Sequence, residues 1–107
     1  MSDELQILRP HGRLDSASSP LLEREATSAI DEGARRLLID FERLDYLSSA
    51  GLRAALAVAK RMNAAGGRLA LCSLKPQVAE VFEISGVDAI IDVHPSAESA
   101  TARLMGD

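Results

Sequence analysis

Between residues 36 and 74 the hydrophobic pattern changes period twice, and few folds satisfy that. Arg36-Leu-Leu-Ile-Asp-Phe41 is a nearly continuous apolar run bounded by charge. It is too short for a helix and lacks the alternation of a half-exposed strand. A run of this kind suits a central strand buried on both faces, which is the habit of parallel sheets covered by helices. A second such run follows at Leu69-Ala-Leu-Cys-Ser-Leu74. Between the two, a helical pattern extends from about Ser49 to Ala65 and is stopped by Gly66-Gly67. Leu52, Ala55, Leu56, Ala59 and Met62 fall on one face of that helix, while Arg53, Lys60 and Arg61 point elsewhere.

The flanking segments continue the alternation. Leu5-Gln-Ile-Leu8 begins a strand that Pro10 and Gly12 interrupt before Arg13-Leu-Asp15. Pro10 cannot donate to a ladder, so this strand is expected at a sheet edge. Ser18-Ser19-Pro20 reads as a helix start, with Ser19 as N-cap and Pro20 at the first helical position. Leu22, Ala26, Ala29 and Ile30 give that helix its buried stripe, and Gly33 ends it. A third helix is expected from Pro76 to Ile84, ended by Gly86, then a short strand over Ala89-Ile-Ile-Asp-Val93 and a last helix from Ala97 to Leu104. The fold class is therefore α/β, one domain over residues 1–107, with a mixed, mostly parallel sheet of about four strands covered by about four helices.

Composition removes several function classes. Aromatic residues are only 3% and the net charge is −4, which argues against stacking on bases or wrapping phosphates, so no nucleic-acid partner is expected. The single cysteine, Cys72, sits in an apolar run and reads as a buried, inert thiol. No 18-residue apolar span exists and Met1-Ser-Asp-Glu4 is acidic, so a cytoplasmic protein without membrane insertion is expected. His11 and His94 lie far apart in no metal-binding pattern and are expected on the surface or in loops. Phosphate-cradling glycine loops and the G-x-S-x-G elbow are absent. A receiver domain needs an acidic pair after its first strand, where this chain offers only Asp15. No catalytic residue, metal or cofactor is expected, and these residues give no reason to expect an enzyme.

One stretch asks for a function. In Leu44-Asp-Tyr-Leu-Ser-Ser-Ala-Gly-Leu-Arg53, two serines stand where the second helix begins. Helix N-termini leave about four backbone N–H groups unpaired and carry partial positive charge, so either serine could serve as a cap. Either hydroxyl could equally be offered for modification. The residues by themselves leave both readings open.

Five segments in order resemble the STAS family, whose soluble members are bacterial anti-sigma factor antagonists. They are Gly12-Arg-Leu-Asp15, Leu37-Leu-Ile-Asp-Phe41, Tyr46-Leu-Ser-Ser-Ala-Gly-Leu52, Gly66-Gly-Arg-Leu-Ala-Leu71 and Val81-Phe-Glu-Ile-Ser-Gly-Val87, and the resemblance spans roughly residues 5 to 104. It implies a STAS-like fold and a partner-switching role. The family's turn into the second helix reads Asp-Ser-[Ser/Thr]-Gly, and its first hydroxyl is the phosphorylated one. Matching on Gly51 puts Ser49 at the phosphoacceptor, with Ser48 as the alternative, and Ala50 at the second hydroxyl position. Ser48 then stands where the family carries aspartate, which makes the turn less acidic.

The resemblance further implies an anti-sigma factor of the serine-kinase type as partner, and leaves a phosphatase open. The implied contact set is Asp15, Ser48, Ser49, Ala50, Gly51 and Arg53. Family members also carry a strand before this chain's start, so the first family strand is expected to be shortened or absent, with Met1–Glu4 too short to replace it. The exposed first edge would then suit a homodimer. The rival reading keeps the fold and makes the chain an unphosphorylated scaffold subunit docking on a transporter ATPase or signalling complex.

Overall fold

The computed structural model describes residues 5–106. The expectation of a shortened first strand at Met1–Glu4 lies outside these residues. Along the chain run β1 (Leu5–Leu8), β2 (Gly12–Leu14), α1 (Ser19–Asp31), β3 (Arg36–Asp40), β4 (Leu44–Leu47), α2 (Ser49–Ala64), β5 (Arg68–Cys72), α3 (Pro76–Ser85), β6 (Asp92–His94) and α4 (Ala97–Met105). Four strands form a sheet in the order β1-β3-β5-β6, with every described ladder parallel. The edge position of β1 agrees with Pro10 just after it. The count of about four strands omits β2 and β4, which pair in parallel as a separate two-stranded ribbon. Each is short and carries exposed polar residues, so neither shows the apolar run that marks the main sheet.

The sheet divides the core by strand alternation. Leu37, Ile39 and Leu71 pack on one face with Leu22, Ala26 and Ile30 of α1, Ala55, Val58 and Met62 of α2, and Val78 and Phe82 of α3. Leu38, Ala70 and Cys72 pack on the other with Ala100 and Leu104 of α4. Buried aromatics are few, but Phe41 and Phe82 stack with centroids 6.1 Å apart within the larger core.

Four local expectations are corrected. The N-cap of α1 is Ser18, not Ser19, and Pro20 falls at the second helical position. The cause is a tight turn at Asp15, whose carbonyl accepts from Ser19 N at 2.8 Å and draws the helix start one residue back. The buried stripe of α2 is Gly51, Ala54, Ala55, Val58 and Met62, so Ala55 and Met62 face the core as expected, while Leu52, Leu56 and Ala59 are only half-buried; the stripe is turned toward Gly51, where the helix meets Leu14 and Leu47. The last strand begins at Asp92 rather than Ala89. Gly86 takes a left-handed conformation at φ 78° and opens a 3-10 turn over Val87–Ala89, so the amides of Ala89, Ile90 and Ile91 bond inside the turn instead of to β5. His94 is a half-buried strand residue rather than a surface or loop one, and its Nε2 is buried without a hydrogen-bond partner; His11 is exposed between β1 and β2, as expected.

Candidate partner-binding site

The ribbon of β2 and β4 delivers the chain into α2. Ser48, the N-cap, has an extended backbone (φ −89°, ψ 175°). Its N–H donates to Leu14 O at 2.9 Å and its hydroxyl donates to the same carbonyl at 3.1 Å. The hydroxyl oxygen also accepts from Gly51 N at 3.3 Å, and Ser48 O accepts from Leu52 N at 2.9 Å. Ser48 thus closes the helix start and ties it to β2. Serine and aspartate serve about equally well at an N-cap, so this helix start needs no aspartate to be capped.

Gly51 fixes how that helix start sits. A Cβ there would lie 2.7 Å from Leu47 Cδ1, 2.8 Å from Leu14 O and 3.0 Å from Leu14 Cβ. The ribbon therefore touches the bare backbone of α2 at this point. With Gly51 facing inward and Ala50 half-buried, Ser49 faces outward; it is exposed and no described group hydrogen-bonds its hydroxyl. Arg53, one turn further along the same helix, is also exposed.

Asp15 lies beside this start, because Leu14 is the residue Ser48 grips. Its carboxylate accepts from Ala17 N at 3.0 Å and Ser18 N at 3.1 Å. Ser18 Oγ donates to Arg13 O at 2.6 Å and accepts from Asp15 N at 3.0 Å. The bonds from Ser18, then the one from Ala17 and the nearby Arg13, hold the Asp15 carboxyl below its ordinary value. Asp15 is thus a turn cap as well as a neighbour of the serines.

Five residues missing from the expected contact set complete the surface. Arg13 carries its guanidinium over the Tyr46 ring, 4.2 Å from the centroid, and approaches Asp15 at 3.7 Å. The two are direct partners across the ribbon, and Tyr46 remains exposed. Lys75 pairs with Asp45, and Gln77 donates to Asp45 O at 3.2 Å, which ties the start of α3 to the same ribbon. A signal was present for Tyr46, the chain's one tyrosine, placed two residues before Ser48.

The remaining polar groups at the strand ends are distinct from this surface. Asp40, Cys72 and His94 are in-register neighbours on β3, β5 and β6. Asp40 accepts from Glu42 N at 3.0 Å and sits 3.7 Å from Arg9, which suits a strand-ending role. Burial pushes the Cys72 thiol up, so it stays protonated and unreactive. Among the described residues no three His, Cys, Asp or Glu side chains are grouped to hold a metal, and no helix is long and apolar enough to cross a membrane.

The chain matches known proteins along nearly its whole length. The family model described as STAS domain matches residues 2–100. BtrV of Bordetella bronchiseptica, described as an anti-sigma factor antagonist, is 48% identical over 94% of this chain and 86% of its own. The anti-sigma factor antagonist SpoIIAA in its unphosphorylated form superposes with a TM-score of 0.84 at 26% identity, covering 98% of this chain and 91% of that one. A Thermotoga maritima protein described as an anti-sigma factor antagonist shares the fold at a TM-score of 0.89 and 19% identity, covering 97% of this chain and 89% of that one.

Proposed function

The chain belongs to the STAS-domain family, on its anti-sigma factor antagonist branch, and on that footing we propose that it binds an anti-sigma factor of the serine-kinase type and is released by phosphorylation of Ser49. The observation that carries this reading is the division of labour between the two serines. Ser48 Oγ is committed to Leu14 O and Gly51 N, while the Ser49 hydroxyl faces solvent without a bond to break. A kinase can reach Ser49 without unfolding anything. Modifying Ser48 would remove the cap and the tie to β2 together.

The physics of the switch follows from the position. An unmodified Ser49 is small and neutral, so a partner can settle over Asp15, Ser48, Ser49, Ala50, Gly51 and Arg53, with the Arg13–Tyr46 stack at its side. Phosphorylation adds about −1.5 to −2 charges. The exposed helix start favours that charge by roughly 0.3–1 kcal/mol, and Arg53 lies within reach at i+4. Under a partner the same dianion loses water, at a penalty of several kcal/mol. A penalty of about 3–4 kcal/mol weakens docking by roughly two to three orders of magnitude. The charge thus acts on the interface and leaves the fold alone. Such a cycle operates where RNA polymerase does, in the cytoplasm.

Ser49→Asp is expected to lower affinity for the cognate anti-sigma factor by about two orders of magnitude or more, with the melting temperature unchanged. Ser49→Ala is expected to bind constitutively and take up no phosphate. Wild-type binding by Ser49→Asp, or undiminished phosphate uptake by Ser49→Ala, overturns the assignment. The outer edge of β1 is paired with no other described strand, which supports a second copy pairing there at high concentration. Light scattering that finds only monomer rejects that pairing.

A further inference from the structure

At the far end of α2 the molecule has a second concavity, unrelated to the serine turn. Lys60 is eleven residues beyond Ser49, about 16 Å along the helix axis. A cavity of about 320 Å³ opens there between α2, the start of β5 and the segment after the 3-10 turn. Leu56, Ala59, Leu69 and the buried Ile91 supply its apolar lining. Ile90 also borders it and is 74% exposed.

The cavity has a structural origin. Had residues 89–91 continued β6, they would have lain flat along β5. The 3-10 turn instead curls them away and brings Ile90 and Ile91 to the border of an open space. Gly67, at the entry to β5, also borders it. Packing Gly67 closer is also impossible to improve by adding bulk, since a Cβ would fall 2.3 Å from Met62 Sδ and 2.8 Å from Arg35 O.

The polar groups on the lining define what would fit. They are the Lys60 ammonium and the Asn63 carboxamide. Lys60 is exposed and in no described ion pair, whereas Arg9, Arg13, Lys75 and Arg103 each face an aspartate. On a chain of net charge −4 this leaves a cation beside an apolar hollow. A sugar would waste the aliphatic lining, and a bare hydrocarbon would leave Lys60 and Asn63 unanswered. A volume at the small end of ligand pockets, taken at roughly 30 Å³ per heavy atom as for water, holds about ten heavy atoms. We propose that this cavity binds a medium-chain carboxylate, its aliphatic tail against Leu56, Leu69 and Ile91 and its anionic head between Lys60 and Asn63.

The test is an amide chemical-shift titration of the full chain with sodium octanoate and, separately, octylammonium chloride. Octanoate is expected to shift Leu56, Ala59, Leu69 and Ile90 saturably, with a Kd of about a millimolar or tighter, and to leave Ser48–Gly51 unmoved. Octylammonium is expected to bind at least about fivefold more weakly, and Lys60→Glu to reverse that order, since one exposed charge contact is worth up to a factor of this size. Ala59→Met, which fills the hollow while keeping a helix-forming aliphatic residue, is expected to reduce binding of both. No saturable shift with octanoate, equal binding of the two head groups, or indifference to Lys60→Glu overturns the proposal. So does a dimer that Ala59→Met dissociates, because a second copy would then be the occupant. Each outcome is independent of phosphorylation at Ser49.

Discussion

Two helices in this molecule begin with the same dipeptide, and its second serine meets opposite fates. At α1, Ser18-Ser19 places Ser19 inside, 4% exposed, its hydroxyl buried without a partner. At α2, Ser48-Ser49 places Ser49 in solvent. The caps differ as well. Ser18 has a helical backbone (φ −101°, ψ −23°) and its hydroxyl serves the Asp15 turn, making no cap bond, whereas Ser48 is extended and caps. The difference comes from helical phase. Ser19 is in line with Leu22, Ala26 and Ile30, at steps of three and four. The buried stripe of α2 runs through Gly51, Ala55, Val58 and Met62, and Ser49 falls outside it. A helix start leaves its hydroxyl in solvent when its first residue is out of phase with the core.

The sharpest way to break this comparison is to place the same charge at both second serines. Ser19→Asp buries a carboxylate without a partner, a loss of about 3–5 kcal/mol that the helix start offsets by roughly 0.3–1 kcal/mol. Ser49→Asp is expected to change stability by no more than about 0.5 kcal/mol. Equilibrium urea unfolding of the two variants measures the gap. If both unfold at the same urea concentration, phase does not decide which serine is available.

Gly51→Ala tests what holds the α2 phase in place. In an open helix position this change stabilises by up to about 1 kcal/mol. Here the added methyl meets Leu47 and the Leu14 carbonyl inside 3 Å, and overpacking of that kind costs about 1–3 kcal/mol. A melting temperature below wild type, with weaker partner binding as the helix start shifts, is the expected result. A more stable Gly51→Ala protein would mean that the ribbon yields and that Ser49 is oriented by something else.

A smaller effect separates the two serines of α2 themselves. Ser48→Ala removes the cap, an expected loss of about 1 kcal/mol. Ser49→Ala removes no hydrogen bond and is expected to stay within about 0.5 kcal/mol of wild type. Equal losses in thermal unfolding would assign the cap to both residues and undercut Ser49 as a free hydroxyl.

How much of this could be read in the residues depends on the length scale. Arg36–Phe41 and Leu69–Leu74 announced the parallel sheet because double burial leaves an unmistakable apolar run, and β3 and β5 are its central strands. The ribbon did not show: β4 is Leu-Asp-Tyr-Leu, four residues whose middle pair is exposed, and it is held by its pairing to β2 rather than by its own pattern. The phase of α2 was legible only in part. Counting large residues centres the stripe on Leu52 and Leu56, and three residues back from Leu52 that stripe would take in Ser49. Close approach favours glycine and alanine, and turns the true stripe toward Gly51, Ala54 and Ala55. Hydrophobicity records how much a face buries; close packing against backbone is written in what is missing from it. Arg13 and Tyr46 became neighbours through the register of the ribbon, which no local pattern encodes.

Acid separates the two helix starts in a last, smaller way. The turn before α1 is held by a carboxylate and the start of α2 by a hydroxyl, so only the first titrates. Hydrogen bonds from Ser18 and Ala17 lower the Asp15 pKa in the folded chain. The ionised carboxylate is therefore favoured by folding; its contribution is complete above the ordinary aspartate range and is lost as pH falls through the lowered value. Hydrogen exchange is expected to show the amides of Ala17 and Ser18 losing protection below about pH 4, after correction for the intrinsic rate, while Gly51 keeps its own. Asp15→Asn is expected to abolish that dependence without altering Gly51. Parallel loss at both starts would show that acid loosens the β2–β4 ribbon as a whole, and that the two turns are one cooperative unit.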